Sequence, residues 1–142
     1  MEIALIADDE KKELMAQFCI AYCGVLAKNR LCSTGTTAKY IKEATGLEIE
    51  SMLDGIHGGV QQIASRVSYD EIDLLIYFRN APRNSTRLSD EELLSLCDLH
   101  MVPTATNIAT AEALIFSLEN GGLDWRKNVN PHSMTSKKEG KK

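Results

Sequence analysis

No stretch of this 142-residue chain approaches the roughly 20 consecutive apolar residues that a membrane helix needs. A membrane partner is therefore not expected. The opening MEIALIADDEKK has a short apolar run followed at once by acids, without a basic n-region or a cleavage-type segment. It reads as a first strand rather than a signal, and the cytoplasm is the expected compartment. Basic charge is not in excess either: 16 Lys and Arg stand against 20 Asp and Glu, a net charge of −4. Bulk nucleic-acid binding needs a basic face that displaces counterions, so nucleic acid is not an expected partner. The one basic run, KKEGKK at the C-terminus, has the composition of a solvated tail.

Cysteine is present but unpatterned. Cys19, Cys23, Cys32 and Cys97 lie in apolar contexts and form no CxxC pair. Cys19 and Cys23 stand four apart on a helical pattern, yet a thiolate zinc site needs further ligands at matching spacing. Free, buried thiols in a reducing compartment are expected. His57 and His100 are isolated from any second histidine, so no metal site is predicted. Internal repeats and low-complexity segments are also missing. One domain over residues 1–125 is expected, followed by a flexible tail over 126–142.

What remains is an ordinary globular composition, 44% hydrophobic and 25% charged, in which short apolar runs alternate with longer amphipathic ones. EIALIA, the region of Leu31 and Cys32, LEIESML, DLLIYF and VPTA read as strands. DLLIYF is too continuously apolar to face water on either side. Between and after the strands, EKKELMAQFCIAYCGVLAKN, TAKYIKEATG, a segment from about Val60 to Val67, SDEELLSLCDLH and TAEALIFSLENGG read as helices. Gly46 is the predicted C-cap of the second, and Ser89 the predicted N-cap of the fourth. Five strands alternating with five helices specify a three-layer αβα, Rossmann-like α/β domain with a mostly parallel five-stranded sheet.

In an open parallel sheet, ligands bind beyond the carboxyl ends of the strands. The polar and glycine-rich motifs fall at those ends: Asp8 and Asp9, then Ser33 to Thr37, Asp54 to Gly59, Arg79 and Asn80, and Thr106 and Asn107. The loop STGTT offers four hydroxyls, one glycine and a helix start, a donor set that suits a phosphate and equally a simple N-cap. Lys12, one turn into the first helix, would supply a cation. Gly58 and Gly59 add a second turn into a helix, followed by the aliphatic Val60.

The runs IALIADDEKKELM, STGTTAKYIKEATGL, MLDGIHGGVQQIASRV, DLLIYFRNAP and VPTATNIATAEALI, in that order, resemble methylglyoxal synthase over roughly residues 3–118. The resemblance implies a homohexamer that converts dihydroxyacetone phosphate to methylglyoxal and phosphate without metal or cofactor. It implies a phosphate clamp of Lys12, Thr34, Gly35, Thr36 and Thr37, extended by Asp54 and Gly55 where the family has Ser-Gly.

It also marks departures. Asp8 replaces a histidine beside the retained Asp9, Asn80 replaces an acid, and Arg87 falls where the family has a substrate-contacting histidine. The family's catalytic aspartate, in GGDQQ, corresponds to Val60. Arg126 is the nearest candidate for a C-terminal arginine that serves phosphate across subunits. Two readings follow. One is a synthase with Asp9 or Asp54 as the replacement base. The other is a non-catalytic phosphate- or effector-binding relative, in the manner of the similar domain of large carbamoyl-phosphate synthetases.

Overall fold

The computed structural model describes residues 1–80 and 88–132. Its sheet has five strands, β1 (Glu2–Ala7), β2 (Arg30–Ser33), β3 (Glu50–Ser51), β4 (Leu74–Phe78) and β5 (Thr104–Ala105), in the order β3-β2-β1-β4-β5. Every pairing is parallel, with Ala4 of β1 opposite Cys32 on one side and Leu75 on the other. The order reverses at β1: the chain winds outward to β3, then crosses back to place β4 on the other flank. That reversal opens a crevice beyond the carboxyl ends of β1 and β4.

Among the described residues, six α-helices cover the sheet: α1 (Lys12–Ala21), α2 (Cys23–Leu26), α3 (Gly35–Thr45), α4 (Gly59–Ser68), α5 (Leu88–Leu99) and α6 (Ile108–Glu119). Strand side chains alternate between the two faces, which sorts the core into two layers. Ile3, Leu5 and Ala7 pack with Met15 and Phe18 of α1, Ile41 of α3 and Ile115 of α6. Ala4 and Ile6 pack with Val60, Ile63 and Val67 of α4 and Leu93 and Cys97 of α5. Both layers are buried, as the continuous apolar runs of β1 and β4 require.

Several boundaries differ from the sequence reading. The first helix is not continuous: it opens with a 3-10 turn at Asp9–Lys11 and breaks at Tyr22, whose φ of −111° and ψ of 23° leave the helical range. LEIESML yields only a two-residue strand, because β3 is an edge that pairs with β2 alone. VPTA likewise contributes only Thr104–Ala105. Ser89 is the second residue of α5. Gly46 does close α3, in the left-handed region at φ 71°.

The largest correction concerns residues after 125. A 3-10 helix over Asp124–Asn128 carries Arg126 into the interior, where it is 0% exposed, and Asn130 is buried beside it. The folded unit therefore extends past residue 125. The expected tail is left with residues 133–142, which lie outside the described residues.

The cysteines are free, and Cys19, Cys32 and Cys97 are buried. Burial pushes Cys19 and Cys32 up to about 12 and Cys97 up to about 11, so the thiolate is scarce in all three. Cys23 is half-buried on its helix. At about pH 8, a thiol-alkylating reagent is expected to label Cys23 first and the other three only on unfolding, a sequence that peptide mass mapping reads directly. Equal labelling of all four in the native state would contradict this burial.

Candidate active site

Beyond the carboxyl ends of β1, β2 and β4 lies a cavity of ≈ 230 Å³. Its walls include Asp8, Asp9 and Lys12 from the first loop and Thr34 and Thr36 from the second. Asp54, Gly55 and Val60 enter from the third, and Tyr77 from β4. Three of the five predicted loops thus meet, joined by a strand residue. The fifth does not line this cavity: β5 is the far edge of the sheet, and Asn107 instead caps α6 by accepting from the Thr110 N–H at 3.1 Å. A larger open hollow of ≈ 730 Å³ lies near the strand amino ends, walled in part by Glu2, Arg30, Glu50 and Arg66. Two of its charges satisfy each other, since both terminal nitrogens of Arg66 bond Glu50, at 2.6 and 2.8 Å.

Lys12 is the cavity's cation. The short 3-10 turn after β1 sets α1 to begin at this residue, and its side chain folds back over the strand end. Nζ donates to Ala7 O at 2.8 Å and to Thr37 Oγ1 at 3.5 Å, and it stands 3.3 Å from Asp9 Oδ1. Lys12 is only 7% exposed. A buried ammonium is tolerated when its protons are met by acceptors, and two oxygens of the strand end and the threonine loop meet them here.

The threonine loop does more than cap its helix. Thr34 holds the N-cap position of α3, but its side chain makes no capping bond. Its hydroxyl donates instead to Thr37 Oγ1 at 3.2 Å. Thr37 is fully buried and lies within 3.4 Å of both Ala7 N and Ala7 O, so the loop is fastened to the end of β1. Gly35 N–H donates to Leu53 O at 3.1 Å, joining this loop to the third.

That third loop turns on its two glycines. Gly58 has φ 107°, a region that favours glycine. A Cβ on Gly59 would lie 2.0 Å from Leu53 O, so no larger residue fits the close approach of α4 to the preceding loop. The Gly59 and His57 N–H groups both donate to Asp54 O, at 2.9 Å each. The pair is thus used to build a tight turn. Val60 follows in the first turn of α4, 2% exposed, with its methyl groups in the cavity wall and the core.

The carboxylates differ in what holds them. Asp8 accepts from Tyr77 OH at 3.1 Å and from Asn80 N at 2.7 Å, one bond on each oxygen. Asn80 in turn donates its amide to Glu10 at 2.7 Å. Asp9 has a side chain 95% exposed, with one oxygen beside Lys12. Asp54 is exposed, and its Oδ1 accepts from Thr36 Oγ1 at 3.2 Å. Neither Asp8 nor Asp54 uses its side chain as a helix cap, although both stand at cap positions.

Other predicted residues lie elsewhere. Arg87 is outside the described residues. Arg126 bonds Asp73, Ile72 O and His100 O near the start of β4, the opposite end of the strand from the cavity. It is buried there, away from this chain's own cavity. His57 is exposed in a 3-10 turn, while His100 has a carboxylate partner that sequence reasoning missed, Asp70 Oδ1 at 3.1 Å. Asp70 and His100 are 30 residues apart and meet only because the ends of α4 and α5 lie side by side. Tyr77 and the Asn80 N–H, which restrain Asp8, were also missed, since their roles depend on β1 pairing with β4. Among the described residues, no group of three or more His, Cys, Asp or Glu is arranged to hold a metal. Nor is any helix among them long and apolar enough to cross a membrane.

Fold and rim together define a Rossmann-like α/β domain with a lysine- and threonine-lined cavity at its topological switch point. The MGS-like domain family matches residues 24–106. A methylglyoxal synthase of Caldicellulosiruptor saccharolyticus is 51% identical over 138 residues, covering 96% of this chain and 98% of its own. One from Listeria welshimeri is 49% identical over 127 residues, or 89% and 95% of the two chains. The crystal structure of methylglyoxal synthase from Elizabethkingia anophelis superposes with a TM-score of 0.73 at 33% identity, covering 80% of this chain and 76% of that one. This chain belongs to the methylglyoxal synthase family.

Proposed function

We propose that this protein binds dihydroxyacetone phosphate in the cavity at the switch point and converts it to methylglyoxal and inorganic phosphate. Assembly as a homohexamer and a cytoplasmic setting belong to the same reading. The observation that carries it is the buried Lys12 ammonium, fixed between Ala7 O and Thr37 at the mouth of the threonine loop. A rigid cation beside hydroxyls and a helix start suits a phosphoryl group, whose oxygens take several charge-assisted hydrogen bonds.

The reaction asks for three things. A base takes a proton from the hydroxymethyl carbon, leaving an enediolate. Donors hold the negative oxygen of that enediolate. The C–O bond to phosphate then breaks with its electron pair on the departing oxygen, and the enol that remains tautomerises to methylglyoxal. In this reading Lys12, Thr34, Gly35, Thr36, Thr37 and Gly55 form the phosphate side. Asp9 is the base, because its exposed carboxylate is free to turn into the cavity. Asp8 has both oxygens engaged, and Asp54 faces the threonine loop.

The assay is direct: dihydroxyacetone phosphate is supplied, and methylglyoxal and phosphate are followed together. Equimolar release is expected, with Asp9→Asn lowering the rate far more than Asp54→Asn. The absence of turnover above a buffer control would reject the synthase reading.

Val60 favours the second reading, a relative that binds phosphate or an effector and performs no catalysis, because a buried valine offers no proton acceptor. Under either reading the clamp binds phosphate. Ligand at about 100 times its Kd adds roughly 2.7 kcal/mol of stability, a rise in Tm of several degrees.

A further inference from the structure

Asp54 ends the segment after β3, and its side chain turns across the start of α3. Its Oδ1 accepts from Thr36 Oγ1 at 3.2 Å. A Cβ built on Gly35 would lie 2.7 Å from that same oxygen, so the carboxylate comes this close only because residue 35 has no side chain. The first N–H within α3 to reach a helical acceptor is that of Ala38, which donates to Thr34 O at 2.8 Å. Ahead of it, the Gly35 N–H already donates to Leu53 O at 3.1 Å, and the Thr36 and Thr37 N–H groups precede the first helical bond at the positive end of this 11-residue helix. Asp54 thus sets a carboxylate oxygen at the place where the threonine loop would receive an oxygen of a phosphoryl group.

Among the described residues, the charges around it do not offset this: Lys12 is the cation in the wall, and it already faces Asp9 at 3.3 Å. Asp8 adds a third carboxylate to the same wall. An incoming phosphate must therefore displace Asp54 from the helix start or bind beside it.

We propose that Asp54 is the resident anion of the threonine loop and a specificity-determining residue of this site. It competes with phosphoryl groups and favours ligands that present an uncharged hydroxyl or carbonyl oxygen to the start of α3. This rests on the reading of the loop as a phosphate clamp. The inference concerns which anion occupies that clamp, and it holds whether or not the protein turns substrate over.

The test is calorimetric titration of the full chain with inorganic phosphate, and separately with uncharged dihydroxyacetone, at fixed pH and ionic strength. Asp54→Asn keeps the shape and the Thr36 partner without the charge, and Asp54→Ser removes both the charge and the crowding. Each is expected to bind phosphate about tenfold to a hundredfold more tightly than the unmodified protein, the range expected when one like charge is removed at short distance. Dihydroxyacetone affinity is expected to change by less than about threefold, since it carries no charge to be repelled. Unchanged phosphate affinity in both variants overturns the inference and leaves the clamp standing. Absence of phosphate binding in all three proteins overturns the clamp and the inference together.

Discussion

Val60→Asp is expected to raise the rate of methylglyoxal formation by about 10² to 10⁴, the usual contribution of a positioned general base. The sequence resemblance implies a catalytic aspartate at this position, and Val60 lies in the cavity wall. Two features of the site suit a carboxylate there. Position 60 is the second residue of α4, where the helix dipole favours negative charge. It is also 2% exposed, and burial raises the pKa of a carboxyl toward the range in which it both ionises and accepts a proton well. The opposing effect is on stability, because Val60 contributes to the core with Ile6 and Ile63 and an acid there loses that packing. A cost of about 1–3 kcal/mol is expected from burying a polar group among apolar ones. Val60→Asn carries the same shape penalty without a proton acceptor, so the rate difference between the two variants isolates the base. A folded Val60→Asp protein with no gain over Val60→Asn would mean that more than a base separates this site from its relatives.

The fold was largely legible in the sequence because its signals are periodic and local. The apolar runs of β1 and β4 could only be buried strands, and the alternation of strands with amphipathic segments specified a parallel sheet. The edge strands were overestimated. LEIESML has the composition of a strand, but with one neighbour its backbone pairs only at Glu50 and Ser51. The residues of the cavity were legible for a topological reason, since the loops at the carboxyl ends of a parallel sheet must share one rim. What sequence could not supply was the partner of each side chain. Asp8 and Asn80 stand 72 residues apart, and their bond exists because β1 and β4 are neighbours. Thr34 carried the signature of an N-cap, yet its hydroxyl serves Thr37 instead. Val60 is noticeable locally as an aliphatic residue directly after the glycine turn, but its tie to a base position comes from the resemblance alone, because a valine in the first turn of a core helix breaks no local rule.

The C-terminal segment shows the same limit, and it leads to the second large effect. Arg126→Met is expected to destabilise the protein by about 3–5 kcal/mol, the usual result of removing one partner of a buried ion pair. Arg126 Nε donates to Asp73 Oδ1 at 3.1 Å, and both side chains are 0% exposed. The guanidinium also donates to Ile72 O at 2.8 Å and His100 O at 3.3 Å, so the stem of β4 and the end of α5 share one planar fork. The other oxygen of Asp73 accepts from Glu2 N at 2.9 Å and Asn130 Nδ2 at 3.1 Å. One buried carboxylate thus ties the first residue of β1 to the segment after α6. Methionine keeps much of the arginine's length but leaves Asp73 charged, buried and short of a donor. That is why the expected loss is larger than for a cavity alone. At about 3–5 °C per kcal/mol for a domain of this size, Tm should fall by roughly 10–20 °C in a thermal melt. Arg126→Met combined with Asp73→Leu should recover part of that loss, because no unpaired charge remains. Phosphate affinity, measured below the lowered Tm, should not change, since Arg126 lies at the amino end of β4 and the cavity lies at the carboxyl ends. A loss of phosphate binding with stability intact would instead assign Arg126 to the ligand site, against its burial here.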